Sequence, residues 1–239
     1  MATYEHITVR PIAGALGAEI SGVDLADLSD AAFAEIRRAW LEHLVVFLRD
    51  QEITPEQQIA FAKRFGDIHL HPFMKSMDEY PEILEIIKTE TATRSFGSTW
   101  HTDQMFNPRP AMATILYARE TPAAGGDTMW ANQYLAYETL PDKVKEQIAG
   151  LRAIHSAGTA YGTGGYLEAV AGKSSMGIEP SPDAYDTETH PLVVRHPRTG
   201  RSALYVNSVY TTGIEGMDPD EARALLARLT AHATHPNFT

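Results

Sequence analysis

Apolar and polar residues alternate along Ile7-Thr8-Val9-Arg10-Pro11, the period-two pattern of a strand with one buried face. Gly14, Gly17 and Gly22 punctuate a further strand or turn pair. Over 31–42 the period becomes helical, with Phe33, Ile36, Trp40 and Leu41 apolar, and 44–48 has the length of a buried strand. Thr54-Pro55-Glu56-Gln57 predicts a helix start, with Thr54 as N-cap, Pro55 in the first position and Gln57 closing a capping box; the helix should reach about Phe65. Strands are predicted at 83–87, 113–118 and 128–130, helices over 133–139 and 142–150, and extended chain over 151–155. Strands at 192–196 and 203–206 flank the turn Pro197-Arg198-Thr199-Gly200, and Asp218-Pro219-Asp220-Glu221 caps a last helix running to about His232. The stretch 156–189 is rich in Gly, Ser, Thr, Pro and Ala and too long for an ordinary connection, so it is expected to be an active-site lid. Many short strands with helices outside them predict a mainly β jelly roll in one domain over 1–239.

Composition narrows the chemistry. The chain has 239 residues, 44% of them hydrophobic and 21% charged, enough for its own core, and no apolar run approaches the roughly 18 residues of a membrane span. The absence of cysteine excludes disulfides, iron-sulfur clusters, thiolate zinc sites and cysteine nucleophiles, so any metal must use nitrogen and oxygen ligands. A net charge of -11 argues against general nucleic-acid binding, and an anionic ligand would need local basic groups. Met1-Ala2-Thr3-Tyr4-Glu5 shows no secretory signal, which makes the cytoplasm the expected location.

His101-Thr102-Asp103 carries the strongest chemical signal. In extended chain, residues i and i+2 face the same way, so an imidazole and a carboxylate could meet one ion as two-thirds of a 2-His-1-carboxylate triad. By itself the tripeptide also suits a surface turn or a structural histidine. His69 and His71 would share a strand face, and substrate contact or core packing suits them better than metal binding, since no carboxylate is nearby. His232 and His235 end the last helix, where the helix dipole alone favours histidine. The glycines from Gly158 to Gly165 and Gly172-Lys173-Ser174 do not form a phosphate loop, because Leu167 stands where that motif needs glycine. A Ser-His-Asp hydrolase lacks its G-x-S-x-G elbow.

Seven segments in order resemble the Fe(II)/2-oxoglutarate-dependent taurine dioxygenase family, which includes the aryloxyalkanoate dioxygenases. They are Gly17-Ala18-Glu19-Ile20-Ser21-Gly22-Val23-Asp24-Leu25, Val45-Val46-Phe47-Leu48-Arg49-Asp50-Gln51, Arg64-Phe65-Gly66, Trp100-His101-Thr102-Asp103, Gly125-Gly126-Asp127-Thr128, His190-Pro191-Leu192-Val193-Val194 and Ala203-Leu204-Tyr205-Val206-Asn207. The resemblance implies a double-stranded β-helix, His101 and Asp103 as catalytic iron ligands, and Thr128 as hydrogen-bond partner of the 2-oxoglutarate carboxylate. His71 matches a histidine used toward the substrate anion, while Met74 and Gly97 replace a tyrosine and an asparagine, which makes taurine itself an unexpected substrate. Ser95-Phe96-Gly97 and the 157–165 loop look closer to dichlorprop-type enzymes, with Tyr161 placed to pack on an aromatic ring. The family's distal histidine and its 2-oxoglutarate-binding arginine lie beyond a segment like His235-Pro236-Asn237-Phe238-Thr239, so the final jelly-roll strands are expected to be missing from this chain.

The expected function is hydroxylation of a small organic anion by O2 and 2-oxoglutarate, with succinate and CO2 as co-products. Hydroxylation beside an ether oxygen or a sulfonate then releases a phenol or sulfite. A homo-oligomer without nucleic-acid or membrane partners is the expected assembly. The rival is a non-catalytic jelly-roll small-anion binder, followed by a cupin-like isomerase or hydrolase using His69, His71 and His101.

Overall fold

The computed structural model describes residues 3–88, 97–168 and 177–239. Its N-terminal layer is a three-stranded sheet in which β1 (Thr8–Pro11) pairs antiparallel with β2 (Ala18–Ser21), and β2 pairs parallel with β3 (Val46–Leu48). Helix α1 (Asp30–His43) supplies the crossover between β2 and β3, its first turn capped by the Ser29 hydroxyl. Ile36 and Ala39 of α1 pack with Ile7 and Ile20 of the sheet side and with Phe61 of α2 (Pro55–Lys63). The expected capping box opens α2: the Gln57 N–H donates to Thr54 Oγ1 at 3.3 Å and the Thr54 N–H donates to Gln57 Oε1 at 2.8 Å.

Helices α3 (Gln133–Glu138) and α4 (Asp142–Ile148) lead into a second sheet. There β4 (Arg152–Ser156) is central, with β5 (Thr187–Pro191) antiparallel on one side and β8 (Thr211–Ile214) antiparallel on the other. A hairpin of β6 (Val193–Arg195) and β7 (Ser202–Leu204) follows β5 directly. Helix α6 (Pro219–Ala233) covers this part, and its Ala222, Leu225, Leu226 and Leu229 bury against Ile148, Ala153, Leu192, Leu204 and Ile214. Asp218 caps α6 by accepting from the Asp220 and Glu221 N–H groups, as its position in the sequence predicts.

The sheets do not join into a closed barrel among the described residues. The strands predicted at 83–87, 113–118 and 128–130 form no ladder there either. Their alternation nevertheless sorts inside from outside: Ile115 packs on the N-terminal core and the Tyr117 hydroxyl donates to the Gln51 carbonyl, while Leu116 between them is exposed. Trp130 likewise meets Phe47 edge to face at 5.5 Å, beside an exposed Met129. Alternation reports which side chains bury, whereas a ladder also needs a neighbouring strand.

The stretch 156–189 is only partly irregular. Its ends belong to β4 and β5, and it holds the short helix α5 (Gly158–Tyr161) and a 3-10 turn over Pro182–Tyr185. A Cβ on Gly158 or Gly162 would come within 2.4 Å of the Tyr185 ring, so these glycines seat an aromatic side chain. Gly172-Lys173-Ser174 lies outside the described residues.

Candidate active site

His101 and Asp103 are not in a ladder strand as the spacing suggested; Asp103 opens a turn over 103–106. Their side chains still converge, with His101 Nε2 3.2 Å from Asp103 Oδ1. Each is oriented from behind. His101 Nδ1–H donates to the Thr99 carbonyl at 2.7 Å, and the Thr114 hydroxyl donates to Asp103 Oδ2 at 2.7 Å. Nε2 and Oδ1 are thereby left as the inward-facing atoms, the arrangement in which outer partners fix a metal ligand's tautomer and rotation.

The pair fits a small divalent ion. Nitrogen and oxygen ligands held about 2.1 Å from one ion at right angles lie about 3 Å apart, close to the observed separation. Their mutual hydrogen bond, with His101 donating to the carboxylate, is the main cause that raises the His101 pKa and lowers that of Asp103. A cation held by both groups would displace the proton from Nε2. Among the described residues no three His, Asp or Glu side chains gather closely enough to hold an ion, so the enzyme built on His69, His71 and His101 finds no site there.

Beside the pair stands a wall of rings, in which Phe106, Tyr161 and Tyr210 are buried and His71 is half-buried. His71 lies 5.1 Å from the Tyr161 ring and 6.3 Å from Phe106, and Phe106 lies 5.0 Å from Tyr210. Tyr210 in turn meets the edge of His101 at 6.4 Å. Burial pushes the His71 pKa down to about 4, only partly opposed by Asp103, so the ring is neutral at pH 7. Its Nδ1 accepts from the Phe73 N–H at 3.1 Å, which places the remaining proton on Nε2. The Tyr161 hydroxyl donates to Met74 Sδ at 3.7 Å, and burial raises both the Tyr161 and Tyr210 phenols, Tyr161 to about 12.

The structure thus gathers four of the residues singled out above, His71, His101, Asp103 and Tyr161. Gly97 is a neighbour as well: at φ +68, its missing Cβ would sit 3.5 Å from His101 Cε1. Thr128 is exposed in the irregular run before α3, without a hydrogen bond to His101 or Asp103. Ser95 and Phe96 lie outside the described residues. His232 and His235 are structural: the first contacts the Ala136 carbonyl at 2.8 Å, and the second accepts from the Asn237 N–H. Thr114, Phe73, Phe106 and Tyr210 belong to the site without having been singled out. The Met105-Phe106 pair after Asp103 was the available hint, while Thr114 and Tyr210 reach the site only through the fold. A separate cavity of about 360 Å3, lined by Trp40, Leu44, Met112, Tyr134 and His196 among others, contains none of these groups.

Short strands flanked by helices thus carry a His-x-Asp pair that faces an aromatic wall. The chain belongs to the taurine catabolism dioxygenase TauD, TfdA family, whose model matches residues 8–239. It is 30% identical over 240 residues to the (S)-phenoxypropionate/alpha-ketoglutarate-dioxygenase of Sphingobium herbicidovorans, covering 95% of this chain and 79% of the relative. It is 34% identical over 249 residues to the alpha-ketoglutarate-dependent sulfate ester dioxygenase of Pseudomonas putida, covering 98% and 78%. The crystal structure of a taurine dioxygenase from Burkholderia xenovorans superposes with a TM-score of 0.75 at 34% identity, covering 98% of this chain and 75% of that one. AAD-2 in complex with Mn(II) and N-oxalylglycine gives a TM-score of 0.75 at 29% identity, covering 97% and 81%. No helix of the described residues is long and apolar enough to cross a membrane.

Proposed function

We propose that this 2-oxoglutarate-dependent dioxygenase holds Fe(II) through His101 and Asp103 and hydroxylates a small organic anion carrying an aromatic or extended apolar group. The observation that carries the proposal is the convergence of His101 Nε2 and Asp103 Oδ1 beside the wall of His71, Phe106, Tyr161 and Tyr210. Bound iron would supply the oxidising power, drawn from O2 and the decarboxylation of 2-oxoglutarate to succinate and CO2.

The chain's own residues orient and shield. His71 is a neutral donor, and its Nε2–H suits an anionic oxygen of the substrate without a second buried charge. Tyr161 is buried against His71, Phe73 and Phe106, and this ring cluster would close the apolar side of the site against water. Gly97 leaves space against His101 for the substrate. Thr128 would donate its hydroxyl to the 2-oxoglutarate carboxylate, a role supported by its motif match.

Relatives named for phenoxypropionate and for sulfate esters support this substrate range. Between the two, the ring wall favours an aryloxyalkanoate: hydroxylation at the carbon beside the ether oxygen leaves a hemiketal that collapses to a phenol and a 2-oxo acid. The 156–189 stretch, which carries Tyr161, acts as a lid within a single domain, and the enzyme is a cytoplasmic homo-oligomer. The test is succinate release with Fe(II), 2-oxoglutarate and O2 in the presence of aryloxyalkanoates, alkyl sulfates or taurine. Phenol release with an aryloxyalkanoate is expected; stimulation by taurine alone would refute the substrate assignment.

A further inference from the structure

Asp103 is followed by a backbone conformation that needs support. Gln104 stands at φ 53, in the left-handed region where a residue with a Cβ is strained unless its surroundings hold it. Asn107 holds it. The Asn107 backbone N–H donates to the Gln104 carbonyl at 3.0 Å, and its side-chain Nδ2 donates to Gln104 Oε1 at 2.9 Å. The same Nδ2 lies 3.0 Å from His69 Nε2, and the Asn107 carbonyl accepts from His190 Nε2 at 3.0 Å. One residue therefore ties the turn carrying Asp103 to the segment carrying His71, two positions beyond His69, and to strand β5. Between Asp103 and Asn107, Met105 and Phe106 are buried, and the Phe106 ring touches both His71 and Tyr210. The turn cannot shift without moving the wall.

We infer that Asn107 is a positioning residue that locks the Asp103 turn to the His69–His71 segment and so fixes the spacing between the metal side and the substrate side. The inference rests on the functional assignment of His101, Asp103 and His71 made above. Asn107 touches neither metal nor substrate and acts through its neighbours. Its amide nitrogen carries two protons, and both are used; a carboxylate of nearly the same shape carries none. Asn107→Asp therefore removes both side-chain donors, so the two bonds re-form only if His69 changes tautomer and Gln104 turns its amide, while the backbone bonds to Gln104 and His190 remain.

The test compares wild type with Asn107→Asp by Mn(II) titration, by nitrogen NMR of the histidine rings in the metal-free protein, and by thermal unfolding. Outer-shell partners of a metal ligand typically govern affinity by about 10- to 100-fold. Asn107→Asp is expected to weaken Mn(II) binding at least about tenfold and to shift the His71 ring signals, although residue 107 does not touch that ring. His69→Ala removes the acceptor from the other side and should reproduce both effects, which keeps the inference testable if Asn107→Asp fails to fold. Unchanged Mn(II) affinity and unchanged His71 signals in a folded variant would overturn it, whatever happens to the melting temperature. Should wild type bind no Mn(II), the metal assignment fails, and the His71 signals of the metal-free variants still decide the lock.

Discussion

Thr114 shows how much of the site depends on a single hydroxyl. By donating to Asp103 Oδ2 it leaves Oδ1 to face His101, so Thr114→Val should free the carboxylate to rotate at almost no cost in volume. Metal affinity measured by titration is expected to fall about tenfold, and an unchanged affinity would mean that the turn alone orients Asp103. His155 makes a different contribution. It is completely buried beside His190, its Nε2 lacks a hydrogen-bond partner among the described residues, and burial lowers its pKa to about 4, with the nearby His190 pushing the same way. Between that value and the 6.5 of an unperturbed histidine, the unfolded chain binds a proton that the folded chain refuses. Stability is therefore full above pH 6.5 and is lost as the pH falls toward 4, by up to about 3 kcal/mol at about 1.4 kcal/mol per unit. Urea unfolding of the metal-free protein at pH 7 and pH 5 should show this drop together with the one that His71 contributes over the same range, and His155→Gln should remove about half of the total; an unchanged pH dependence would contradict the assignment.

At the scale of elements, what could be read from the chain was what is encoded locally. The Thr54–Gln57 capping box and the Asp218 cap were legible because every group involved lies within three residues. Thr54→Ala is expected to cost about 1 kcal/mol in chemical denaturation, and no change would make the box ornamental. Strands β5 and β8 escaped because Thr187-Glu188-Thr189-His190-Pro191 and Thr211-Thr212-Gly213-Ile214 contain few large apolar residues; pairing with β4, not their own pattern, makes them strands. The reverse error occurred at 83–87, 113–118 and 128–130, where alternation was present but no ladder forms among the described residues. The His101-Thr102-Asp103 convergence was legible for a reason that turned out different, since a turn rather than a strand delivers it. Packing of α6 follows its helical stripe, and Leu229→Ala, at a site only 1% exposed, should cost about 2–5 kcal/mol of unfolding free energy. A cost below 1 kcal/mol would show that this face is not the core of that layer.

Across the whole molecule, the sheets and helices bring together residues from distant parts of the chain: His71 before the His101–Asp103 pair, Tyr161 after β4 and Tyr210 before β8. No local pattern announces that meeting, which is why the family resemblance located His101 and Asp103 while Tyr210 and Thr114 emerged only from the fold. Substrate choice belongs to this scale, because the ring wall is built from four separate segments. Tyr161→Ala should raise the KM for an aryloxyalkanoate by about tenfold or more and leave that for 2-oxoglutarate nearly unchanged, and equal effects on both would place Tyr161 outside the substrate wall. His101 and Asp103 are proposed to hold the iron that 2-oxoglutarate joins. The most direct measurement is anaerobic addition of Fe(II) and 2-oxoglutarate to the protein, and in parallel to its His101→Ala and Asp103→Ala variants, while following the visible charge-transfer absorption of the chelate. A band in the parent that is lost in both folded variants is the expected result, and a band that survives either substitution would contradict the iron-holding role of that residue.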